Sequence, residues 1–216
     1  MKILTPLQED FIKAFSQSPL RERFFLTGGT ALSAFYLFHR YSEDMDFFTE
    51  IEGEIIKAVP VIKKIVRNIN SSIELTKQFS TMVESFLTRK DEMIKIHFAQ
   101  DAPFRLKEIE ENKEYHIFID NQLDIACNKL SALFDRYAEK DFVDIYFLSK
   151  EFMSFEEIYK YARKKHIGMD EYWLAASLKN IDKVEKLPRM IKSVTIEELR
   201  EFYYEKIKTL MDIIKK

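Results

Sequence analysis

The sequence predicts an α/β (α+β) fold, with a small mixed sheet in its first half and a helical bundle in its second half. Short apolar runs bounded by turn residues, and segments that alternate apolar with polar residues, lie before residue 120. After that point apolar residues recur at 3- and 4-residue spacing. We therefore expect an α/β domain over residues 1–119 and a helical domain over residues 120–216.

The residue pattern of the first half predicts a helix, a strand, a Gly-Gly turn, a second helix and a second strand, in that order. These segments are residues 6–17, 23–27, 28–29, 30–40 and 44–48. A third helix follows, in which an internal proline is expected to cause a kink, and then four further strands. They are residues 54–69, 72–78, 81–87, 93–98 and 115–119.

The residue pattern of the second half predicts five helices. The first carries an apolar stripe from Leu123 to Tyr137, and Asp141 is expected to cap the N-terminus of the next. The remaining helices are predicted at residues 154–166, 170–182 and 195–214.

The composition is that of a folded protein in a reducing compartment. Hydrophobic residues make up 46% of the 216 residues, and the net charge of -2 gives no overall attraction to nucleic acid. The single cysteine, Cys127, excludes an intramolecular disulfide and is expected in the core. The N-terminus lacks signal-peptide features, and no apolar run is long enough to span a bilayer, so we expect a cytoplasmic protein without membrane contact.

Two of only four glycines in the chain stand side by side after a buried strand. Glycine permits a tight connection into a helix, and the first turn of a helix has unpaired N–H groups that attract anions. The segment Thr27-Gly28-Gly29-Thr30 therefore predicts a polyphosphate cradle with two flanking hydroxyl donors. A tight turn without a ligand is the alternative.

Asp44 and Asp46 are one residue apart in a predicted strand, so their carboxylates share a face. Two adjacent like charges repel each other, and the phenylalanines that follow indicate a strand that packs in a core. A divalent cation would offset this repulsion, and Mg²⁺ prefers carboxylate oxygens together with substrate phosphate. A solvated acidic strand end is the alternative.

Gly-Gly, a helix and Asp-x-Asp on the next strand together resemble the DNA polymerase β-like nucleotidyltransferases. The segments GGTALSAFYLFHRYSEDMDFF and DIACNKLSALFDRYAEKDFVDIYFL more closely resemble the AbiEii/AbiGii toxin family. The two blocks cover about 45 of the 216 residues, and their order and spacing agree with the family across nearly 150.

This resemblance implies a polymerase β-like core and an enzyme that transfers a nucleoside monophosphate from an NTP to an acceptor and releases pyrophosphate. It also implies the toxin of a toxin–antitoxin or phage-defence pair, with a cognate antitoxin. Some relatives modify the acceptor end of tRNA, which makes RNA the expected acceptor. The expected cofactor is Mg²⁺ or Mn²⁺.

The resemblance also implies roles for individual residues. The expected catalytic residues are Asp44, Asp46, Lys129 and Asp144. The expected nucleotide-binding residues are Thr27, Gly28, Gly29, Thr30, Arg40, Ser42, Lys129 and Arg136. Lys129 and Arg136 lie at i and i+7 on one side of their helix. Asp144 could pair with either of them, and Arg40 could brace the carboxylates or simply complement its helix C-terminus.

His97 is a departure from the superfamily pattern, in which relatives tend to have a third aspartate at this position. Together with Asp44 and Asp46 it is a candidate metal ligand, although an imidazole suits softer metals better than Mg²⁺. It could instead act as a general base, or Asp101 could supply the missing carboxylate. A weakened site is the remaining interpretation.

Two other functions fit the same motifs: nucleotidylation of a small hydroxyl compound, and a nucleotide-binding module that has lost turnover. Basic clusters in the last helices could contact an RNA backbone or be solvated helix faces. They comprise Arg163, Lys164, Lys165, His166, Lys179, Lys183, Lys186, Arg189 and Lys192.

Overall fold

The computed structural model describes residues 3–215, which form two compact units. The first unit contains the residues up to Tyr36 together with Ser42–Asn121, and the second contains Leu37–Tyr41 together with the residues from Gln122 onward. The segment Leu37–Tyr41 falls inside the predicted first domain, but it packs with the helices of the second unit.

The first unit is built on one seven-stranded sheet, in the order β3-β4-β5-β2-β1-β7-β6. The strands are β1 (Phe25–Thr27), β2 (Asp44–Thr49), β3 (Ser72–Gln78), β4 (Met82–Arg89), β5 (Glu92–Gln100), β6 (Glu110–Asn112) and β7 (Ile117–Ile119). The pairs β2–β5 and β1–β7 are parallel and the other pairs are antiparallel, which confirms the predicted mixed sheet. β6 was not predicted.

Three helices accompany this sheet: α1 (Pro6–Ser16), α2 (Gly28–Ala31) and α3 (Glu54–Asn68). α1 begins at a capping box in which Thr5 and Gln8 satisfy each other's backbone N–H groups. α2 continues as a π-helix over Leu32–Leu37. The helix predicted at 30–40 ends there because Phe38 has φ +53°, which a right-handed helix does not allow.

The glycine pair is not a separate turn. Gly28 and Gly29 are the first residues of α2, which follows β1 directly. Gly28 makes the change of direction with φ +70°, a conformation that only glycine adopts at little cost.

Alternation along β2 and β5 places one face of the sheet in the core. Phe47 and Phe98 are fully buried and stack with ring centroids 5.0 Å apart. Phe15 of α1 lies 4.5 Å from Phe47, and Phe24 meets Phe98 edge-on at 5.1 Å. The opposite face of the same strands carries partly exposed Asp44, Asp46, Lys95 and His97.

The second unit is helical, as predicted. Its helices are α4 (Gln122–Asp135), α5 (Glu139–Glu151), α6 (Phe155–Lys165), α7 (Glu171–Leu178), a 3-10 helix (Lys179–Lys183) and α8 (Ile196–Ile214). Ser154 and Thr195 each form a capping box, and Asp170 caps α7. The prediction that Asp141 caps α5 is wrong, because the cap position is Ala138 and Asp141 lies buried in the first turn.

Within residues 3–215, no helix combines the length and the apolar character that crossing a membrane requires.

We predict that Phe47→Ala lowers the free energy of unfolding by about 3–5 kcal/mol, because it opens a cavity among the stacked rings. The control is Phe79→Ala, since the Phe79 side chain is 60% exposed and should change stability by less than about 0.5 kcal/mol. Urea denaturation measures both. Equal effects of the two substitutions would contradict the assignment of Phe47 to the core.

Candidate active site

Asp44 and Asp46 lie on the face of β2 that points away from the aromatic core. Met45 and Phe47, which alternate with them, are fully buried, whereas both aspartates are partly exposed. The side chain of Asp46 is 26% exposed. Strand geometry therefore presents two carboxylates side by side on one face.

Gly28 lies directly against one of these carboxylates. β1 and β2 pair so that Thr27 is opposite Asp46, and a Cβ atom on Gly28 would lie 2.3 Å from Asp46 Oδ2. A side chain at position 28 would have to displace the Asp46 carboxylate, and the φ of +70° disfavours one independently. The two motifs singled out in the sequence, the glycine pair and the aspartate pair, thus meet at a single point.

Both threonines beside the glycines donate their hydroxyl hydrogens within the first unit. Thr27 Oγ1 donates to Asp120 Oδ2 at 2.8 Å, and Asp120 also binds Arg105 Nη1 at 2.8 Å. Thr30 Oγ1 donates to the backbone carbonyl of Asp44. These hydrogen bonds hold both ends of the Gly-Gly segment in place. A role of the threonines in NTP binding remains a prediction.

The parallel strand β5 brings two more polar side chains to this face. Lys95 is in register with Asp44, and His97 is in register with Asp46. His97 Nδ1 lies 3.5 Å from Asp46 Oδ1. The alternation of EMIKIHF indicated the common face of Lys95 and His97, but the sequence did not reveal which strand would pair with it.

Lys95 is held in place by Glu84 of β4, with 2.7 Å between Lys95 Nζ and Glu84 Oε2. The hydrogen bond from Lys95 lowers the pKa of Glu84 to about 2, and Glu84 in turn raises the pKa of Lys95. The charges of Asp44 and Asp46 raise the Lys95 pKa further. A fixed positive charge therefore lies in the field of the aspartate pair.

The donor set fits a magnesium ion that also binds substrate. Among residues 3–215, no three His, Cys, Asp or Glu side chains come together closely enough to hold a metal alone. Mg²⁺ commonly uses only one or two protein carboxylates and takes its other ligands from phosphate and water. Asp44 and Asp46 provide such a pair.

The second unit contains a buried ionic cluster centred on Asp144, whose side chain is fully buried. Asp144 Oδ1 contacts His39 Nε2 at 2.8 Å and Arg40 Nε at 2.6 Å, and Oδ2 contacts Arg40 Nη2 at 2.8 Å and Lys129 Nζ at 2.7 Å. The predicted pairing of Asp144 with Lys129 is present. Burial alone would raise the pKa of Asp144, but the charges of Arg40 and Lys129 hold it well below its usual range.

Lys129 also binds Asp141 Oδ1 at 2.8 Å. Burial favours the uncharged form of Lys129. The carboxylates of Asp144 and Asp141 outweigh this effect and raise the pKa of Lys129. Burial lowers the pKa of His39, so a neutral ring donates from Nε2 to Asp144. His39 Nδ1 is buried and has no hydrogen-bond partner among residues 3–215.

The remaining predicted site residues differ in exposure. Arg136 is 63% exposed, and its Nη2 lies 3.5 Å from Asp141 Oδ2. Ser42 is buried, and its carbonyl accepts a hydrogen bond from Gln8 Nε2 at 2.8 Å. Arg40 also donates to the Tyr41 carbonyl at 2.9 Å.

We predict that Gly28→Ala destabilises the protein more than Gly53→Ala does. Both glycines have positive φ, but a Cβ on Gly53 meets nothing within 4 Å, so this control carries only the backbone strain of about 1–2 kcal/mol. The excess measured by urea denaturation for Gly28→Ala reports the overlap with Asp46. That excess should disappear in an Asp46→Ala background, and its persistence there would contradict the close approach.

We predict that Asp144→Asn lowers the free energy of unfolding at pH 7 by about 3 kcal/mol or more, because it removes the buried negative charge that Arg40 and Lys129 both contact. Exposed Asp135→Asn is the control. The folded-state pKa of Asp144 is depressed, so its contribution is present above the unfolded pKa of about 3.9 and is lost as the pH falls further. Denaturation curves should therefore show the penalty shrinking below about pH 4, and a penalty that is independent of pH would contradict a charged Asp144.

The chain is similar to proteins of a known family. A family model described as "Nucleotidyl transferase AbiEii toxin, Type IV TA system" matches residues 10–211. An uncharacterised protein of Aquifex aeolicus is 30% identical over 199 residues, which are 88% of each chain.

Two solved structures share the fold. A proposed nucleotidyltransferase of Helicobacter pylori aligns with a TM-score of 0.62 and 21% identity, over 97% of this chain and 93% of that one. MenT4, a nucleotidyltransferase toxin of Mycobacterium tuberculosis H37Rv, aligns with a TM-score of 0.60 and 13% identity, over 95% and 82%. Since the family match spans nearly the whole chain, the protein belongs to the AbiEii family of nucleotidyltransferase toxins of type IV toxin–antitoxin systems.

Proposed function

We propose that this toxin transfers a nucleoside monophosphate from an NTP to a hydroxyl group of RNA, with the acceptor end of tRNA as the substrate. The observation that carries the proposal is the pair of carboxylates, Asp44 and Asp46, fixed beside the side-chain-free backbone of Gly28. The backbone of Gly28 and Gly29 would bind the triphosphate, and the two carboxylates would hold a cation that offsets its negative charge.

In the proposed reaction the acceptor hydroxyl attacks the α-phosphorus of the NTP. A new phosphodiester bond forms as the hydroxyl gives up its proton to water, the bond between the α-phosphorus and the oxygen that bridges to the β-phosphate breaks, and pyrophosphate leaves. Asp44 and Asp46 would hold Mg²⁺ or Mn²⁺, which, when bound, supplies positive charge and orientation to the phosphate oxygens. The backbone of Gly28 and Gly29 would position the triphosphate.

We propose supporting roles for the two β5 side chains. Lys95, which Glu84 holds in place, adds positive potential at the aspartate face and so favours a polyanionic substrate. His97 lies 3.5 Å from the Asp46 carboxylate, a separation at which both donors could bind one ion. A nitrogen ligand at this position would favour Mn²⁺ over Mg²⁺.

For the second unit we propose that the buried cluster positions exposed residues. Lys129 and Asp144 are enclosed and pair with each other and with further charges, so their predicted catalytic role would be indirect. Arg136 is the predicted nucleotide-binding cation of this unit with the most exposed side chain, and we propose that it contacts phosphate.

Family membership implies an antitoxin partner. We propose that the toxin acts in the cytoplasm, where NTPs and tRNA are available. Neutralisation by the antitoxin would then limit RNA modification.

We predict that incubation with Mg²⁺ or Mn²⁺, each α-labelled NTP and total tRNA places label on RNA, and that Asp46→Asn lowers the initial rate at least 100-fold. The loss is expected because the substitution removes one of the two charges that hold the cation. Surface Asp212→Asn is the matched control and should keep the native rate. Label on a small hydroxyl compound instead of RNA, or an unchanged rate for Asp46→Asn, would contradict the proposal.

A further inference from the structure

The second unit exposes an unusual pair of aromatic rings. Trp173, the only tryptophan of the chain, is 60% exposed, and its neighbour Tyr172 is 55% exposed. Their ring centroids are 5.2 Å apart in an edge-to-face arrangement. The apolar face of α7 that holds the helix in its unit is formed by Leu174, Ala175 and Leu178, so the fold does not require the two exposed rings.

These rings begin a stripe along α7 and the following 3-10 helix. Tyr172, Ala176, Lys179 and Lys183 are all exposed and follow each other at spacings of four, three and four residues. The spacing of Tyr172, Ala176 and Lys179 places them on one side of α7 and its C-cap, and exposed Lys183 follows at the end of the 3-10 helix.

A third exposed ring joins the stripe from α8. Lys179 Nζ lies 4.5 Å from the ring centroid of Tyr204, whose side chain is 42% exposed. Asp182 holds both groups, through an ion pair of 3.0 Å to Lys179 and a hydrogen bond from the Tyr204 hydroxyl. The cation and the ring therefore have a fixed relative position.

The far end of the stripe reaches the C-terminus of α4. The Tyr137 hydroxyl donates to the Lys183 carbonyl at 2.9 Å, and Tyr137 follows Arg136 in the chain. Lys183 and Lys186 are exposed and form no salt bridge with any other residue in the range 3–215. We call the surface formed by these side chains the aromatic–lysine track; it comprises Tyr137, Tyr172, Trp173, Lys179, Lys183 and Tyr204.

We propose that the aromatic–lysine track binds the single-stranded 3′ end of the RNA acceptor, an inference that rests on the function proposed above. Bases would stack on the exposed rings, and Lys179 and Lys183 would contact phosphates between them. Proteins that bind single strands combine these two elements, because every base has a π-face and every linkage has a charge. The track ends beside Arg136, which we propose to contact phosphate.

The chemistry of the track favours RNA over a protein partner. The core of a protein interface excludes charged residues, and lysine in particular is depleted there. Here Lys179 and Lys183 lie in the same surface as the exposed rings, and Lys183 and Lys186 form no salt bridge among residues 3–215. Because the chain as a whole carries a net charge of -2, RNA attraction needs a local patch of this kind.

The sole tryptophan provides a direct test with the full-length protein. A single-stranded oligoribonucleotide titrated without NTP should quench Trp173 fluorescence, because a stacked base covers the indole, whereas a blunt RNA hairpin of equal charge should quench it much less. By fluorescence anisotropy of the labelled oligonucleotide, Trp173→Ala and Tyr204→Ala should each raise the Kd about 10-fold. Phe79→Ala, which removes an equally exposed ring from the first unit, should leave the Kd unchanged.

The outcomes separate this inference from the proposed function. If the Kd for RNA changes less than 2-fold in both Trp173→Ala and Tyr204→Ala, the proposed role of the track is wrong, even if label transfer to RNA proceeds. Trp173 fluorescence that responds to the purified antitoxin but not to RNA also overturns it and assigns the surface to a protein. Quenching by single strands together with weakened binding in the variants supports the track, whether or not label transfer is detected, since binding is measured without NTP.

Discussion

The close approach of Gly28 to the Asp46 carboxylate is the constraint on which the proposed active site depends. It exists because β1 and β2 pair antiparallel with Thr27 opposite Asp46, and because Gly28 leaves the strand with positive φ. A side chain at position 28 would displace the carboxylate. The aromatic core below β2 fixes the strand itself, through Phe47 between Phe15 and Phe98. Core packing thereby sets the position of a pair of charges on the opposite face.

In the second unit, several charged side chains are buried together. Asp144 accepts from a guanidinium, an ammonium and an imidazole, so that its burial is offset by partners on every side. Lys129 and Arg40 pair with Asp144 in the interior of the unit. This pairing explains why both residues belong to a sequence motif although neither side chain is exposed. The contacts with substrate that we propose for this unit are made by exposed residues outside the buried cluster, namely Arg136 and the aromatic–lysine track.

Much of the fold could be predicted from the sequence, because strand alternation and helical periodicity are local signals. The alternation of EMIKIHF correctly separated Lys95 and His97 from the core, and the mixed sheet followed by helices is present. Contacts between distant segments could not be predicted this way. The bond from Thr27 to Asp120 spans 93 residues, and Arg40 reaches Asp144 across 104, so neither has a local signature. Asp141 was wrongly assigned to a helix cap because a cap and a buried ion-pair partner look alike in sequence.

The central claim is that the aspartate pair and the diglycine segment together bind a metal–nucleotide complex. The most direct measurement is a crystal structure with a non-hydrolysable NTP analogue and Mn²⁺, with the ion located by anomalous scattering. The account predicts an ion bound by carboxylate oxygens of both Asp44 and Asp46, with the triphosphate along Gly28 and Gly29. A nucleotide bound elsewhere in the chain, with no ion at these carboxylates, would contradict it.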